Sequence, residues 1–190
     1  MRLLHEIRRK ALHLFGVVVP IGYYLTPEPV GRRVLLGFTI AALMLDVIRL
    51  NERRVRTFFY YFFGKIVREH ERFNLLGSTY VLLTALLCAY AFDRPIAIVS
   101  MAFLSVGDGM AAIVGRSVGR VRIFGKTLEG SLACFLSCLA VAWLFPGDPF
   151  TWRMMLGGAL VATLFELLPI PLDDNMRISL SGGFAMTLLR

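Results

Sequence analysis

Hydrophobic residues occur along this chain in long runs that short polar stretches separate. Seven of these runs approach the length of about 20 residues that an α-helix needs to cross a bilayer. They cover residues 12–27, 34–50, 75–92, 95–114, 130–145, 152–169 and 178–189. The pattern predicts an all-α integral membrane protein, a polytopic bundle of about seven transmembrane helices. The first and last runs are short, so six helices are the alternative count.

Composition and the N-terminal residues fit one membrane domain. The chain has 190 residues, of which 57% are hydrophobic, and a mean hydropathy of +0.67, well above the apolar content of a soluble domain. The basic, apolar start lacks a small-residue cleavage pattern, so we expect a retained first helix. Because repeats and low-complexity tracts are absent from the sequence, residues 1–190 are expected to form a single domain. Cys88, Cys134 and Cys138 fall inside apolar runs, and we expect them to pack without disulfides.

Lysine and arginine are concentrated in alternate polar stretches. Most of the residues behind the net charge of +8 lie before the first run and in residues 51–73, 115–129 and 171–177. With seven spans these stretches share one face of the membrane, and positively charged loops stay in the cytoplasm. We therefore expect a multi-pass protein of the cell (inner) membrane whose charged face is cytoplasmic.

One of these stretches, residues 51–74, alternates cations with aromatic residues and contains six consecutive aromatics, Phe58 to Phe63. In a soluble protein such a string would be compatible with stacking on single-stranded nucleic acid. Beside apolar runs, an interfacial helix is favoured, with its rings at headgroup depth and its cations against anionic lipid. We therefore expect a cytoplasmic interfacial helix and no nucleic-acid partner.

Asp108 is the most informative ionisable residue within the runs. A charged side chain inside a transmembrane helix costs about 2.5–3.5 kcal/mol on insertion scales, so Asp108 needs a partner or a water-filled cavity. Its neighbours Gly107, Gly109, Ala111 and Ala112 are small and let a ligand or another helix approach closely. A functional site is favoured over the alternative, a small-residue helix seam with one buried ion pair.

Further ionisable residues lie near the same predicted face. Glu6, Lys10 and His13 recur at helical spacing on one face of the first run. Asp46 lies one turn before Arg49, where an internal ion pair and a functional role are equally compatible. Glu166 lies near the end of the sixth run.

The stretch LPIPLDDN, residues 168–175, adds oxygen ligands at this face. Pro169 and Pro171 are expected to end the sixth helix. Asp173, Asp174 and Asn175 would then present carboxylate and amide oxygens to a hard cation such as Mg²⁺. The alternative is that Asp174 or Asn175 caps the last helix.

Residues 115–131 combine a permissive backbone with positive charge. Gly115, Gly119 and Gly125 alternate with cations, and Lys126 and Thr127 directly precede a helix that has Glu129 in its first turn. The cations of this stretch are Arg116, Arg120, Arg122 and Lys126. A helix N-terminus beside cations binds phosphate, although the spacing is not that of a Walker P-loop. A lipid-headgroup clamp or a topogenic loop is an alternative, but the nearby acids favour a nucleoside triphosphate with Mg²⁺.

Four stretches occur in an order that matches a known family: HEIRRKALHL, GDGMAAIVGRSVG, GKTLEGS and LPIPLDDN. They resemble the motifs of the CTP-dependent lipid-alcohol kinases, which include dolichol, phytol and farnesol kinases and the fungal-type CTP-dependent diacylglycerol kinase. The resemblance implies a CTP site formed by Asp108, Gly115, Arg116, Lys126, Thr127, Glu129 and Gly130, completed by Asp173, Asp174 and Asn175. The middle motif is also similar to that of phosphatidate cytidylyltransferases, whose glycine- and histidine-rich final signature is missing here.

These observations lead to a specific hypothesis for a single transmembrane catalytic domain. The γ-phosphoryl group of CTP is transferred at the cytoplasmic interface to the hydroxyl of a membrane lipid alcohol: a polyprenol, a phytol-like isoprenoid alcohol or diacylglycerol. CDP-lipid synthesis and a small membrane transporter are the alternatives. A homo-oligomer is compatible with the sequence.

Each candidate residue has an expected role in that reaction. The predicted catalytic residues are Asp108, Lys126, Asp173, Asp174 and, as a second base, His13. The predicted nucleotide-binding residues are Lys10, Gly115, Arg116, Arg120, Arg122, Lys126, Thr127, Glu129, Gly130 and Asn175. The predicted Mg²⁺ ligands are Asp108, Glu129, Glu166, Asp173 and Asp174.

Overall fold

The described part of the chain is nearly all helical. The computed structural model describes residues 16–64, 67, 70–170 and 172–190. Its helices are α1 (Val18–Leu25), α2 (Glu28–Asn51), α3 (Arg53–Phe63), α4 (Gly77–Ala91), α5 (Arg94–Ser117), α6 (Leu128–Trp143), α7 (Trp152–Leu167) and α8 (Asp174–Leu188). A helix lies in every predicted apolar run. The all-α prediction is wrong in one detail, because β1 (Arg122–Ile123) and β2 (Lys126–Thr127) form a short antiparallel hairpin. A single 3₁₀ turn, His70–Arg72, precedes α4.

Two of these helices have the dimensions of membrane spans. By length and composition, α2 and α5 are long and apolar enough to cross a bilayer, while α4 and α6 are shorter apolar helices. The predicted count of seven spans therefore stays a prediction.

Capping and proline residues set where the helices begin. Pro29 lies in the first turn of α2, where its missing N–H has no consequence, so α2 begins at Glu28 rather than at residue 34. Thr127 accepts a hydrogen bond from Gly130 N at 3.2 Å and begins α6. Asp173 accepts one from Asn175 N at 2.9 Å and begins α8 at Asp174, before the predicted apolar run at 178.

The middle of α5 departs from α-helical geometry. Residues Phe103–Asp108 form a π-helical segment, which returns to α-helix at Gly109. Such segments are rare and occur frequently at functional sites. This one ends at the acid that the sequence singled out.

Small residues let the central helices pack closely. A Cβ atom on Gly158 of α7 would lie 2.4 Å from Met186 Cγ of α8, and one on Gly183 would lie 2.3 Å from Phe92 Cε2. Buried Phe103 contributes to the same core. Helix α8 therefore packs against α7, α4 and α5, and the N-terminal end of α8 lies beside the C-terminal end of α7.

Helix α3 is hydrogen-bonded to a buried ion pair of α2. Arg49 and Asp46 are both fully buried, 2.9 Å apart, and the arginine also donates to Tyr60 Oη of α3 at 2.7 Å. The pair is thus structural, one of the two roles predicted for it. Within the predicted interfacial stretch, Arg53–Phe63 form α3, with Phe58 and Tyr61 exposed; the position of α3 at a membrane surface stays a prediction.

Candidate active site

One cavity of about 600 Å³ lies where α5, the hairpin, α6, α7 and the start of α8 meet. Most of the predicted site residues line it: Asp108, Gly115, Arg116, Arg122, Lys126, Thr127, Gly130, Glu166, Asp173, Asp174 and Asn175. Residues far apart in sequence are therefore brought to one surface. Ser131, which also lines the cavity, was not predicted as a site residue, although it closes the GKTLEGS motif.

The hairpin turns the chain back toward the cavity. Phe124 and Gly125 have φ values of 50° and 83°, as a two-residue type I′ turn requires. The turn pairs Ile123 with Lys126 and Arg122 with Thr127. As a result, one cation from each strand of the hairpin, Arg122 of β1 and Lys126 of β2, lines the same cavity.

Three glycines surround the Thr127 hydroxyl. A Cβ atom would lie 2.5 Å from Thr127 Oγ1 if it were added to Gly115, and 2.8 Å from it if added to Gly119 or Gly130. Gly130 also lies against α5, because a Cβ atom added to Gly130 would lie 2.7 Å from Ala111 O. These positions need glycine because α5 and α6 approach closely there, which leaves the cavity wall formed by backbone.

The Lys126 ammonium group lies among oxygen atoms. It is 2.7 Å from Glu166 Oε1 and 3.6 Å from Asp174 Oδ2, and it donates to Glu166 O. Ser131 Oγ donates to the other carboxylate oxygen of Glu166 at 3.4 Å. The side chain of Glu166 is 4% exposed, so its charge is balanced chiefly by Lys126.

The turn between α7 and α8 is held by Arg177. Its guanidinium donates to Leu168 O and to Asp174 Oδ1. Asp173 caps α8, and so the capping alternative applies to Asp173 rather than to Asp174 or Asn175. Asp174 keeps one oxygen toward Lys126 on the cavity side.

Asp108 and Asn175 are two of the buried polar residues that line the cavity. Asp108 is 7% exposed at the end of the π-helical segment, and Asn175 is 3% exposed in the first turn of α8. Asn175 Nδ2 donates to Gly77 O of α4 at 3.5 Å, which orients the amide. Asp108 therefore has the predicted position within the bundle, beside the cavity.

Two predicted residues are not brought to the cavity. The Glu129 carboxylate accepts hydrogen bonds from Arg120 N at 3.0 Å and Val121 N at 3.3 Å, and neither Glu129 nor Arg120 lines the cavity. Hydrogen bonds from the backbone N–H groups of Glu129 itself and of Arg120 lower the pKa of this carboxyl below its usual value. The structure thus gives Glu129 the role of holding the residues that lead into the hairpin.

The remaining predictions concern two N-terminal residues, a metal-binding cluster and the cysteines. His13 and Lys10 are outside the described residues. Among the described residues, no group of three or more His, Cys, Asp or Glu side chains is arranged to hold a metal ion by itself. The cysteine prediction is confirmed, since Cys88, Cys134 and Cys138 are buried and free.

Comparison with known proteins identifies relatives. The chain is 31% identical to CTP-dependent diacylglycerol kinase 1 of Eremothecium gossypii over 97% of this chain and 68% of the relative. It is 29% identical to the Schizosaccharomyces pombe protein of the same name over 97% of this chain and 94% of the relative. Probable phytol kinase 3, chloroplastic, of Glycine max is 38% identical over 57% of this chain, which spans only 39% of that relative. No protein-family model and no solved structure matches the chain.

Proposed function

The chain belongs to the family of CTP-dependent lipid kinases, and from this premise we propose that it transfers the γ-phosphoryl group of CTP to the hydroxyl of a membrane lipid alcohol. One observation carries the proposal: three of the four motif stretches contribute residues to the same cavity. The fourth, residues 5–14, lies outside the described residues. The acceptor class is diacylglycerol or an isoprenoid alcohol such as phytol.

The cavity has the size and charge that a nucleoside triphosphate needs. Ligand pockets are typically about 300–1,000 Å³, and this one holds about 600 Å³. Arg116, Arg122 and Lys126 supply positive charge, and the N-terminus of α6 at Thr127 presents backbone N–H groups. These groups would bind the phosphates of CTP.

The donor set also fits Mg²⁺. Two carboxylates, Glu166 and Asp174, and one backbone carbonyl already surround the cationic Lys126 nitrogen. Magnesium in such enzymes is usually bound through one or two carboxylates together with substrate phosphates, so a preformed cluster of three acids is not required. Glu166 and Asp174, with Asp173 nearby, would hold the ion, which would neutralise phosphate charge during transfer.

The residues around the cavity account for each part of the transfer step. The lipid hydroxyl oxygen forms a bond to the γ-phosphorus, the bond from that phosphorus to the bridging oxygen breaks, and CDP leaves. The hydroxyl proton passes to the Asp108 carboxylate, which is buried beside the cavity. Lys126 and Arg122 hold the phosphates in line, because positioning and charge neutralisation supply most of the catalysis in such reactions.

The surface of α2 supports a location in a membrane. The helix exposes Phe38, Met44 and Val47 by more than half of their surface, and it buries Thr39, Asp46 and Arg49. This arrangement, apolar outside and polar inside, is the reverse of that in a soluble helix and fits lipid as the surrounding solvent. The charge distribution supports the proposal of a multi-pass arrangement in the cell membrane with the cavity on the cytoplasmic side.

The deciding experiment follows two labels in one assay. Purified protein is incubated in mixed micelles with diacylglycerol, phytol, phosphatidate and Mg²⁺, with CTP labelled either on the γ-phosphate or on the cytosine. We expect only the γ-phosphate label in the lipid fraction, and no transfer after Mg²⁺ is chelated. Cytosine label in lipid would establish CDP-lipid synthesis instead, and no transfer of either label would overturn the proposal. Neither the cytidylyltransferase nor the transporter alternative is favoured, because the named relatives are kinases.

Asp108→Asn tests the role of the buried carboxylate. The amide keeps the shape of the side chain but accepts no proton, so turnover should fall by about 100-fold or more while CTP still binds. A folded Asp108→Asn protein with full turnover would remove Asp108 from the reaction.

A further inference from the structure

Arg177 is a buried cation that takes no direct part in the proposed phosphoryl transfer. It does not line the cavity, and its side chain is only 6% exposed. The guanidinium donates to Asp174 Oδ1 and to Leu168 O. A buried charge is costly unless it is paired and hydrogen-bonded, so these two contacts fix the place of the guanidinium.

The two contacts of Arg177 reach the helix ends that carry the proposed Mg²⁺ ligands. Glu166 lies in the last turn of α7, and Leu168 directly follows the end of that helix. Asp174 is the first residue of α8. In the turn between the helices, the backbone bond from Ile170 N to Leu168 O, 2.9 Å long, spans only two residues. Arg177 therefore bonds across the turn, to the end of α7 on one side and to a proposed ligand on the other.

Each of the two carboxylates has one oxygen bonded to a supporting side chain and the other directed at Lys126. Asp174 Oδ1 accepts from Arg177, and Asp174 Oδ2 lies 3.6 Å from the ammonium nitrogen. Glu166 Oε2 accepts from Ser131 Oγ at 3.4 Å, and Glu166 Oε1 lies 2.7 Å from the same nitrogen. The two remaining oxygens therefore face one cationic group.

Asp174 needs such support more than Glu166 does. The Asp174 side chain is 43% exposed, whereas that of Glu166 is 4% exposed and is held by the surrounding helices. A hydrogen bond to one oxygen of a carboxylate fixes its plane and thereby the direction of the other oxygen. Metal sites in proteins commonly use bonds of this kind to orient their ligands.

We propose that Arg177 is a positioning residue for Mg²⁺: it holds Asp174 Oδ1, so that the other oxygen of Asp174 is presented to the ion together with Glu166. The inference rests on the proposed function, in which these two carboxylates hold the ion. A guanidinium suits this task because its planar fork of N–H donors bonds a carboxylate and a carbonyl in fixed directions at once. A lysine in its place would keep the charge without that fixed geometry.

The test separates metal binding from catalysis. Binding of labelled CTP to the purified full chain is measured in micelles without acceptor lipid, once with Mg²⁺ and once with EDTA. The ratio of the two dissociation constants reports how strongly the protein couples the ion to the nucleotide. We expect this ratio to fall about tenfold in Arg177→Gln, with a change of less than about twofold in the EDTA value, because only a support of the metal ligand is lost.

Arg32→Gln is the matched control. Arg32 also joins a carboxylate to a carbonyl of another helix, since it lies 2.7 Å from Glu28 Oε1 and donates to Ala89 O at 2.9 Å. It does not line the cavity, so the ratio should stay at the wild-type value even where the thermal stability falls. In an Asp174→Asn background, Arg177→Gln should lower the ratio by less than about twofold more, because the two residues act through one ligand.

The outcomes distinguish this inference from the proposed function. Lower thermal stability of Arg177→Gln with an unchanged ratio would make Arg177 a structural residue only and overturn the inference. A higher ratio would also overturn it, by showing that the guanidinium charge opposes the ion. If Arg177→Gln fails to fold, Arg177→Lys keeps the charge, and an unchanged ratio in that variant has the same meaning. The kinase proposal is overturned only if no γ-phosphate label from CTP reaches any lipid with the wild type.

Discussion

In the proposed reaction, the Lys126 ammonium group binds the phosphates of CTP. Replacing it with Met keeps much of its length and removes the ammonium group, so we expect kcat/KM for CTP to fall by about 100-fold or more. The loss has two causes: the phosphates lose a cation, and Glu166 is left as a buried carboxylate without its ion-pair partner. Steady-state kinetics with varied CTP measure the effect.

Arg120→Met is the matched control for that substitution. Arg120 has the same charge in the same stretch but does not line the cavity. It should keep activity within about threefold of the wild type, since only a surface charge is lost. Equal losses in the Lys126 and Arg120 variants would mean that general positive charge, rather than a placed ammonium group, attracts the nucleotide.

At the scale of single residues, sequence predicted which residues meet at the cavity better than it predicted their contacts. Asp108 and Lys126 were recognisable because a charge inside an apolar run and a cation before a helix each require a physical reason. The hydrogen bonds of the Glu129 carboxylate were not recognisable, since its partners are backbone N–H groups of residues 120 and 121, whose direction depends on the turn.

The π-helical segment of α5 packs closely against α6 at Gly107. A Cβ atom on Gly107 would lie 2.7 Å from Cys138 Sγ and 3.2 Å from Cys134 Sγ. We expect Gly107→Ala to lower the free energy of unfolding by about 1–3 kcal/mol, because buried sulfur atoms must shift to make room. Unfolding in detergent measures the loss.

Two further variants show whether that contact is the cause. Gly37→Ala is the control, since a Cβ atom there meets nothing within 4 Å, and its stability should stay equal to or slightly above that of the wild type. Adding Cys138→Ala to Gly107→Ala should recover part of the loss, as a double-mutant cycle detects for neighbouring groups. If the stability losses of Gly107→Ala and Cys138→Ala simply add, the contact between Gly107 and Cys138 is not the source of the strain.

The segment that leads into the hairpin should loosen in acid. The folded-state pKa of Glu129 lies below its ordinary value of 4.5, so its stabilising hydrogen bonds are fully present above that value and are lost as pH falls through the lowered pKa. Amide hydrogen-exchange rates of residues 118–125 are measured from pH 7 to pH 3 in the wild type and in Glu129→Gln. The slower exchange of the wild type relative to the variant should disappear at the acid end of this range. If the ratio of the two exchange rates stays constant across this pH range, ionisation of Glu129 does not affect the stability of the hairpin.

Whole elements were predictable where their pattern was long. Each apolar run contains a helix, but the run 34–50 missed the polar first turn of α2 that follows Pro27. The hairpin was missed because two-residue strands are too short for any alternation of polar and apolar residues to appear. Its signal was the pair Phe124 and Gly125, of which only the glycine favours positive φ.

At the scale of the described molecule, the buried polar groups of α2 are paired, while the same helix exposes large apolar side chains such as Phe38 and Met44. Asp46 accepts from Leu76 N at 2.9 Å and from Thr79 Oγ1 at 2.7 Å, while Arg49 donates to Asn74 O at 2.7 Å. One saturated ion pair thereby links α2, α3 and the approach to α4. Ionic groups buried inside a protein are tolerated only when they are fully hydrogen-bonded, as Asp46 and Arg49 are.

The orientation of the molecule is testable with single cysteines. The wild-type cysteines are buried and should not react with a membrane-impermeant maleimide, so the unmodified chain is the control. Positively charged loops remain in the cytoplasm, and Val118, 59% exposed, precedes the hairpin on the cavity side of the chain. Val118→Cys should therefore be labelled only in inside-out vesicles. Pro149→Cys, in the exposed turn at the other end of α6, should be labelled only in right-side-out vesicles. Labelling of both positions from one side would mean that α6 does not cross the membrane, and reversed labelling would put the cavity outside the cytoplasm, where CTP is not supplied.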